Sequence, residues 1–281
     1  MTRVIAASLA VLALAAGCGG DGGEGAADAR DRLARTAAKL GEIRSGVLDL
    51  RLVLDPKGND TERVGFEVHG PFALDEGGAA RFSVDYTQIH GEREATVKLI
   101  STGKQAYVTV GGTSYELPPG QAAELRDAGG AVGGDDGLGQ LELDDWIQDP
   151  RLSDGDDVGG DETDRISARL DVAAAAEDLL ALARDAGAGD VGELSQEELK
   201  RLRDAVDEAT IEVLSGSDDD LLRRLDIDAS LGLDVPDELA DLVGEVVGAK
   251  LDVELTIEHP NEPVAVTAPT DARPPSEFPG G

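Results

Sequence analysis

The hydrophobic period of the chain changes soon after its start. From Ala29 to Ile43, the apolar residues Leu33, Ala37, Leu40 and Ile43 recur at helical spacing with charges between them. That spacing predicts an amphipathic helix with one buried face, ended by Ser45-Gly46. From Leu48 the period is two. Leu48, Leu50, Leu52 and Leu54 alternate with Asp49, Arg51 and Val53, the pattern of a half-buried strand. The same alternation returns in Val64, Phe66 and Val68, in Phe82, Val84 and Tyr86, in Ala95, Val97 and Leu99, and in Ala106, Val108 and Val110. Gly111-Gly112 predicts a tight hairpin into Tyr115 and Leu117, and Pro118-Pro119 stops the run. Six consecutive strands with short connections predict an antiparallel meander rather than parallel βαβ units.

The middle of the chain is less regular. A short helix is expected at Gln121 to Asp127, then a glycine-rich loop over 129–139. Trp146, the one tryptophan, is read first as an anchor pinning this excursion to the sheet, with a ligand contact as the lesser alternative. Thr163 to Val172 reads as a strand, with Ile166, Ala168, Leu170 and Val172 on one face. Ala173 to Ala186 reads as a helix with Ala176, Leu179, Leu180 and Ala183 inward, broken by Gly187 to Gly192. Ser195-Gln196-Glu197-Glu198 is a capping box, and the helix it opens is expected to bury Leu199, Leu202 and Val206. Further strands are expected at 208–214, 222–232 and 250–258, with a short one at 263–267. A helix is expected at Pro236 to Val247, and residues 269–281, rich in proline, are expected to form an extended tail.

The fold class that follows is α+β: one open antiparallel sheet of about ten or eleven strands, with helices on its apolar face. Strands twist, so a sheet of this size curls. Its apolar face is almost wholly aliphatic, since aromatic residues make up 3% of the chain. A gap left between such a face and its helices would suit acyl chains. The alternative, a closed dry core, has the same pattern. The candidate lining residues are Leu48, Leu50, Leu52, Val64, Phe66, Val68, Phe82, Val84, Val97, Leu99 and Val108 on strands, with Leu179 and Leu180 on a helix. The glycine-rich stretches 129–139 and 187–192 are candidate lid elements.

The amino terminus adds a location. Met1-Thr2-Arg3 is a short positive start, and Val4 to Ala16 is an apolar run interrupted by Ser8. It is shorter than the ~20 residues a membrane-spanning helix needs, and it has the form of a secretory signal over 1–17. Ala15-Ala16-Gly17 supplies the small residues of a cleavage site, and Cys18, the one cysteine, follows at once. This resembles the bacterial lipobox, with Ala15 where that pattern usually has leucine three places before the cysteine, and Leu14 one place further back. A lone cysteine in an exported chain has no internal disulfide partner, so acylation of Cys18 is its expected role. Residues 18–27 would be a flexible spacer, and 28–268 one folded domain.

Charge and the absence of motifs exclude other classes. The formal net charge of −33 makes nucleic acid a poor partner. The histidines His69, His90 and His259 stand alone, so a metal site is not expected. No nucleophile elbow or phosphate-binding glycine loop occurs. Neither catalytic residues nor a cofactor are assigned.

Several segments, in order, resemble one family. They are SGVLDLRLVLD, AYVTVGGTSYELP, DDWIQDPRL, DDVGGDETDRISARLDVAAAAEDL, ATIEVLSGSDDDLLRRLDIDASL and KLDVELTIEHPNEPVAVTAP. Together they are similar to the actinobacterial LppX/LprG-type lipoproteins, which share a fold with the LolA and LolB carriers. The resemblance implies a strongly curved half-barrel with helices on its concave side and an apolar cavity between them. It implies a protein tethered by its acylated cysteine to the outer face of the cytoplasmic membrane. The partners then expected are lipids or glycolipids, the membrane through the anchor, and a membrane transporter. The competing reading is a tethered accessory subunit with no ligand of its own, and a more distant one is an exported hydrolase.

Overall fold

The computed structural model describes residues 22–58, 61–75, 79–132, 138–185, 194–232 and 246–278. The signal sequence, Cys18, the 187–192 break and residues 236–245 of the expected second-half helix lie outside them. Eleven strands are described: β1 Ser45–Gly58, β2 Val64–Leu74, β3 Ala80–His90, β4 Arg93–Thr102, β5 Ala106–Val110, β6 Thr113–Glu116, β7 Ile147–Asp154, β8 Thr163–Leu170, β9 Val206–Gly216, β10 Leu222–Gly232 and β11 Val246–Glu258. Four helices accompany them: α1 Gly22–Ala38, α2 Pro119–Val132, α3 Val172–Asp185 and α4 Gln196–Ala205.

All strands form a single open antiparallel sheet in the order β6-β5-β4-β3-β2-β1-β11-β10-β9-β8-β7. Two meanders therefore run outward from one central seam. The seam pairs β1 with β11 from Val47↔Glu258 to Lys57↔Gly248, so the first and last strands of the chain lock the two halves together. The sheet is a half-barrel whose concave face carries the helices.

The alternation in the sequence explains why the faces differ. Residues opposite each other across a ladder point to the same side. Leu50 lies between Leu255 and Val68, and Leu52 between Val253 and Phe66. Ile227 lies between Val253 and Ile211, and Ala168 follows next to Ile211. One aliphatic face thus crosses the whole sheet. The other face carries charge: Arg51 pairs with Glu67 at 3.2 Å, Arg224 reaches Asp226 and Glu254 at 2.8 and 2.9 Å, and Lys250 reaches Asp228 and Asp252 at 3.0 and 2.9 Å. Burial pushes the Asp226 carboxyl up, and the neighbouring Glu254 and Glu212 add to this against the opposing Arg224.

The main core fills the concave side between α1 and strands β7–β11. Leu33, Leu40 and Ile43 meet Leu143, Trp146, Ile166, Ile211, Val213 and Ile257. Trp146 is fully buried, and its indole N–H donates to Asp178 of α3 at 2.8 Å. It is the anchor its sequence position predicts. Asp178 also accepts from the Glu142 amide at 3.0 Å, so one carboxylate ties α3 to the excursion. Ion pairs clamp α1 from outside the core. Arg32 binds Asp164 and Asp220, and Arg35 reaches Asp220 at 3.1 Å. Burial pushes the Asp220 carboxyl up, but its hydrogen bonds from Arg32 and Arg35 outweigh that and hold it below the usual carboxylate range.

Six sequence expectations differ from the structure. α1 begins at Gly22, inside the segment read as a spacer. α2 runs to Val132 through Gly129 and Gly130, because glycine weakens a helix without ending it. Val206 opens β9 rather than closing α4, and Val246 and Val247 open β11 rather than ending a helix. β7 was not expected: its sequence IQDPRLSD does not alternate and holds Pro150, which an edge strand tolerates. The strand expected at 263–267 does not form. β11 already has β1 and β10 on its two sides, so the chain has no place to return there and leaves after His259 and Asn261, both with left-handed backbone.

Candidate functional site

The candidate site is the part of the concave face that, among the described residues, the helices leave uncovered. The two ends of this face differ in what packs on them. On the β7–β11 side α1 and Trp146 close it. At the far side α2 lays Leu125 against a smaller cluster of Ala80, Phe82 and Val84, joined by Val68, Phe72, Leu74 and Leu99. Between them Leu50, Leu52, Leu54, Val64, Phe66 and Val97 belong to neither cluster, and most are half-buried. Val64 is 38% exposed.

Register builds this strip. Leu52 stands opposite Phe66 and Leu54 opposite Val64, while Val97 stands opposite Tyr86. Phe66 and Tyr86 stack with ring centres 6.1 Å apart. Leu251 and Val253 continue the strip across the seam from Leu54 and Leu52.

The predicted residues therefore fall into three groups. Leu48, Phe82, Val84 and Val108 are packed by core or lie buried beneath the helix side. Leu50, Leu52, Val64, Phe66, Val68, Val97 and Leu99 form or border the half-open strip. On α3, Leu180 is half-buried and Leu179 is 43% exposed, while Ala174, Ala175 and Leu182 make that helix's contacts with the core. Sequence reasoning missed Leu54, Tyr86, Leu251 and Val253, although all four continue the alternation it used.

Two grooves, of about 450 and 410 Å³, open on the opposite, polar face. The first is bordered by Glu212, Asp226 and Asp228 with Arg151 and Arg169, and the second by Asp49, His69, Arg224 and Glu254. Neither touches the apolar strip. Among the described residues no group of three or more His, Cys, Asp or Glu side chains is arranged to hold a metal. His69 faces Asp49 at 3.2 Å, His90 faces Glu62 at 2.9 Å and His259 faces Glu262 at 3.7 Å, three separate surface pairs. No described helix is long and apolar enough to cross a membrane.

No family model and no curated protein matches the chain. Among solved structures, LprF from Mycobacterium bovis aligns with a TM-score of 0.50 and 15% identity, over 86% of this chain and 97% of that one. A LolA superfamily protein from Nitrosomonas europaea aligns with a TM-score of 0.22 and 9% identity, over 84% and 94% of the two chains. The likeness to LprF establishes a common fold.

Proposed function

We propose that this chain is an envelope lipoprotein, acylated at Cys18, that shelters lipid or glycolipid acyl chains on its concave apolar strip and helps move them across the envelope. The observation that carries this reading is the strip itself: Leu50, Leu52, Leu54, Val64, Phe66 and Val97 side by side on a curved sheet, outside both packed clusters. Their half-exposure costs free energy unless an apolar partner covers them.

The magnitudes fit a carrier. Each buried methylene is worth about 0.8 kcal/mol, so a sixteen-carbon tail leaving a bilayer loses on the order of 12 kcal/mol. A carrier must return most of that through apolar contact. Aliphatic side chains in register along strands provide a lengthwise surface for a tail without demanding one head group. Two or more acyl chains on Cys18 would hold the body at the extracytoplasmic face of the cell membrane, since one chain binds only reversibly. A membrane transporter fits this scheme as the partner that loads or receives the lipid.

One observation favours a second reading. The two grooves described above lie on the charged face, which would suit a tethered subunit that binds a polar partner and no lipid. Native mass spectrometry of the chain purified without residues 1–18 separates the two. Co-purifying lipid, lost on Phe66→Asp, supports the carrier; a clean protein mass that no added phospholipid shifts supports the accessory subunit.

A further inference from the structure

We propose that the outer edge of β6 is a strand-addition site, filled in the single molecule by the chain's own residues 271–278, and that the same segment of a second copy is the partner it fits. The sheet has two edges, and they are protected differently. β7 carries a register shift between Gln148 and Arg151, left-handed Asp149 and Pro150. A bulge and a proline discourage another strand from pairing there. β6, Thr113–Glu116, has none of these devices. Its outer side is taken by the carboxy-terminal segment instead. Tyr115 and Arg273 form a parallel bridge, in which the Arg273 amide donates to the Ser114 carbonyl and the Glu116 amide donates to the Arg273 carbonyl, each at 2.9 Å.

Side chains add selectivity to this bridge. Tyr115 is only 8% exposed, and the two groups against its ring, Arg273 and Phe278, come from the tail. The Arg273 guanidinium stands 5.9 Å from its ring centre, and the Phe278 ring meets it edge-on at 5.6 Å. A short 3-10 turn at Pro275–Glu277 brings Phe278 back toward the tyrosine. The recognised chemistry is thus an extended backbone with a cation and, five residues later, an aromatic ring. The link from 262 to 269 carries no strand or helix, so releasing the tail unravels no core element.

Concentration decides which copy's tail is bound. A tethered segment competes at a millimolar effective concentration, so the chain's own tail wins in dilute solution. A second copy's tail makes identical contacts, and exchange becomes favourable when molecules are crowded.

The test uses the full chain and a fluorescent peptide of residues 269–281. The double variant Arg273→Pro, Phe278→Ala removes the amide donor, the cation and the ring. It is expected to bind the peptide saturably, while the unaltered chain binds it roughly tenfold or more weakly because its own tail competes. A peptide carrying the same two substitutions is expected to bind neither. Hydrogen exchange at the Glu116 amide is expected to run roughly tenfold or more faster in the double variant. A double variant with unchanged circular dichroism that binds no peptide overturns the proposal. Should that variant not fold, Phe278→Ala alone, at a half-buried surface ring, reads the same amide; a Glu116 exchange rate equal to that of the unaltered chain also overturns it.

Discussion

Strands β8–β11 and strands β1–β4 of the sheet have the same alternation but different fates. In the first, Ile166, Ile211, Val213, Ile227 and Ile257 are buried beneath Leu33, Leu40 and Trp146. In the second, Leu50, Leu52, Phe66 and Val97 remain half-open, while α2 packs against the Phe82 and Val84 region. Alternation tells which face is apolar; it does not tell what covers that face.

The largest expected effect lies in the closed half. Trp146→Ala should destabilise the chain by about 3–5 kcal/mol, because it opens a cavity and leaves the Asp178 carboxylate with one donor fewer. Urea unfolding followed by circular dichroism measures this. Next comes Asp220→Asn, which loses the ion pairs from Arg32 and Arg35 that hold α1 over this core; about 2 kcal/mol is expected at neutral pH, since the site is only partly solvated. The folded pKa of Asp220 is lowered, so its contribution is fully present above the unfolded carboxylate value, about 3.9, and is lost as pH falls through the lower folded value. Unfolding curves of the two chains should therefore converge as the solution is acidified below pH ~4.

A smaller effect is expected at the helix start before β9. Ser195→Ala should cost about 1 kcal/mol, because it removes the hydroxyl that accepts from the Glu198 amide; thermal melts read it. Smallest in stability, and most informative for function, is Leu52→Ser in the open half. It should change stability by about 1 kcal/mol or less, as a half-exposed site, while weakening lipid capture in native mass spectra. A large loss of stability there would erase the distinction between the halves.

The sequence carries this division unevenly. Leu48 to Leu54, Val64 to Val68 and Phe82 to Tyr86 predict strands because their apolar side chains alternate with others, and the ladders place them on one face as expected. Gly111 and Gly112 both have left-handed backbone in the two-residue turn between Val110 and Thr113, as their hairpin demands. The Ser195 box forms with both of its hydrogen bonds. Other features had no local signal. β7 is held by neighbours rather than by its own pattern, and the tail is ordered by Tyr115, more than 150 residues earlier. For the strip, the leucines and valines were legible as apolar, but their partial exposure depends on where α1 and α2 end, which alternation does not encode.

Whether the open half takes an acyl chain is read by photocrosslinking. A sixteen-carbon fatty acid with a diazirine near its methyl end would be incubated with the full chain, irradiated, and the labelled peptides sequenced. The account predicts labels within Leu50–Leu54, Val64–Val68 and Val97–Leu99, suppressed by excess diacyl phospholipid. Labels confined to the charged face, or none above a protein-free background, would contradict it.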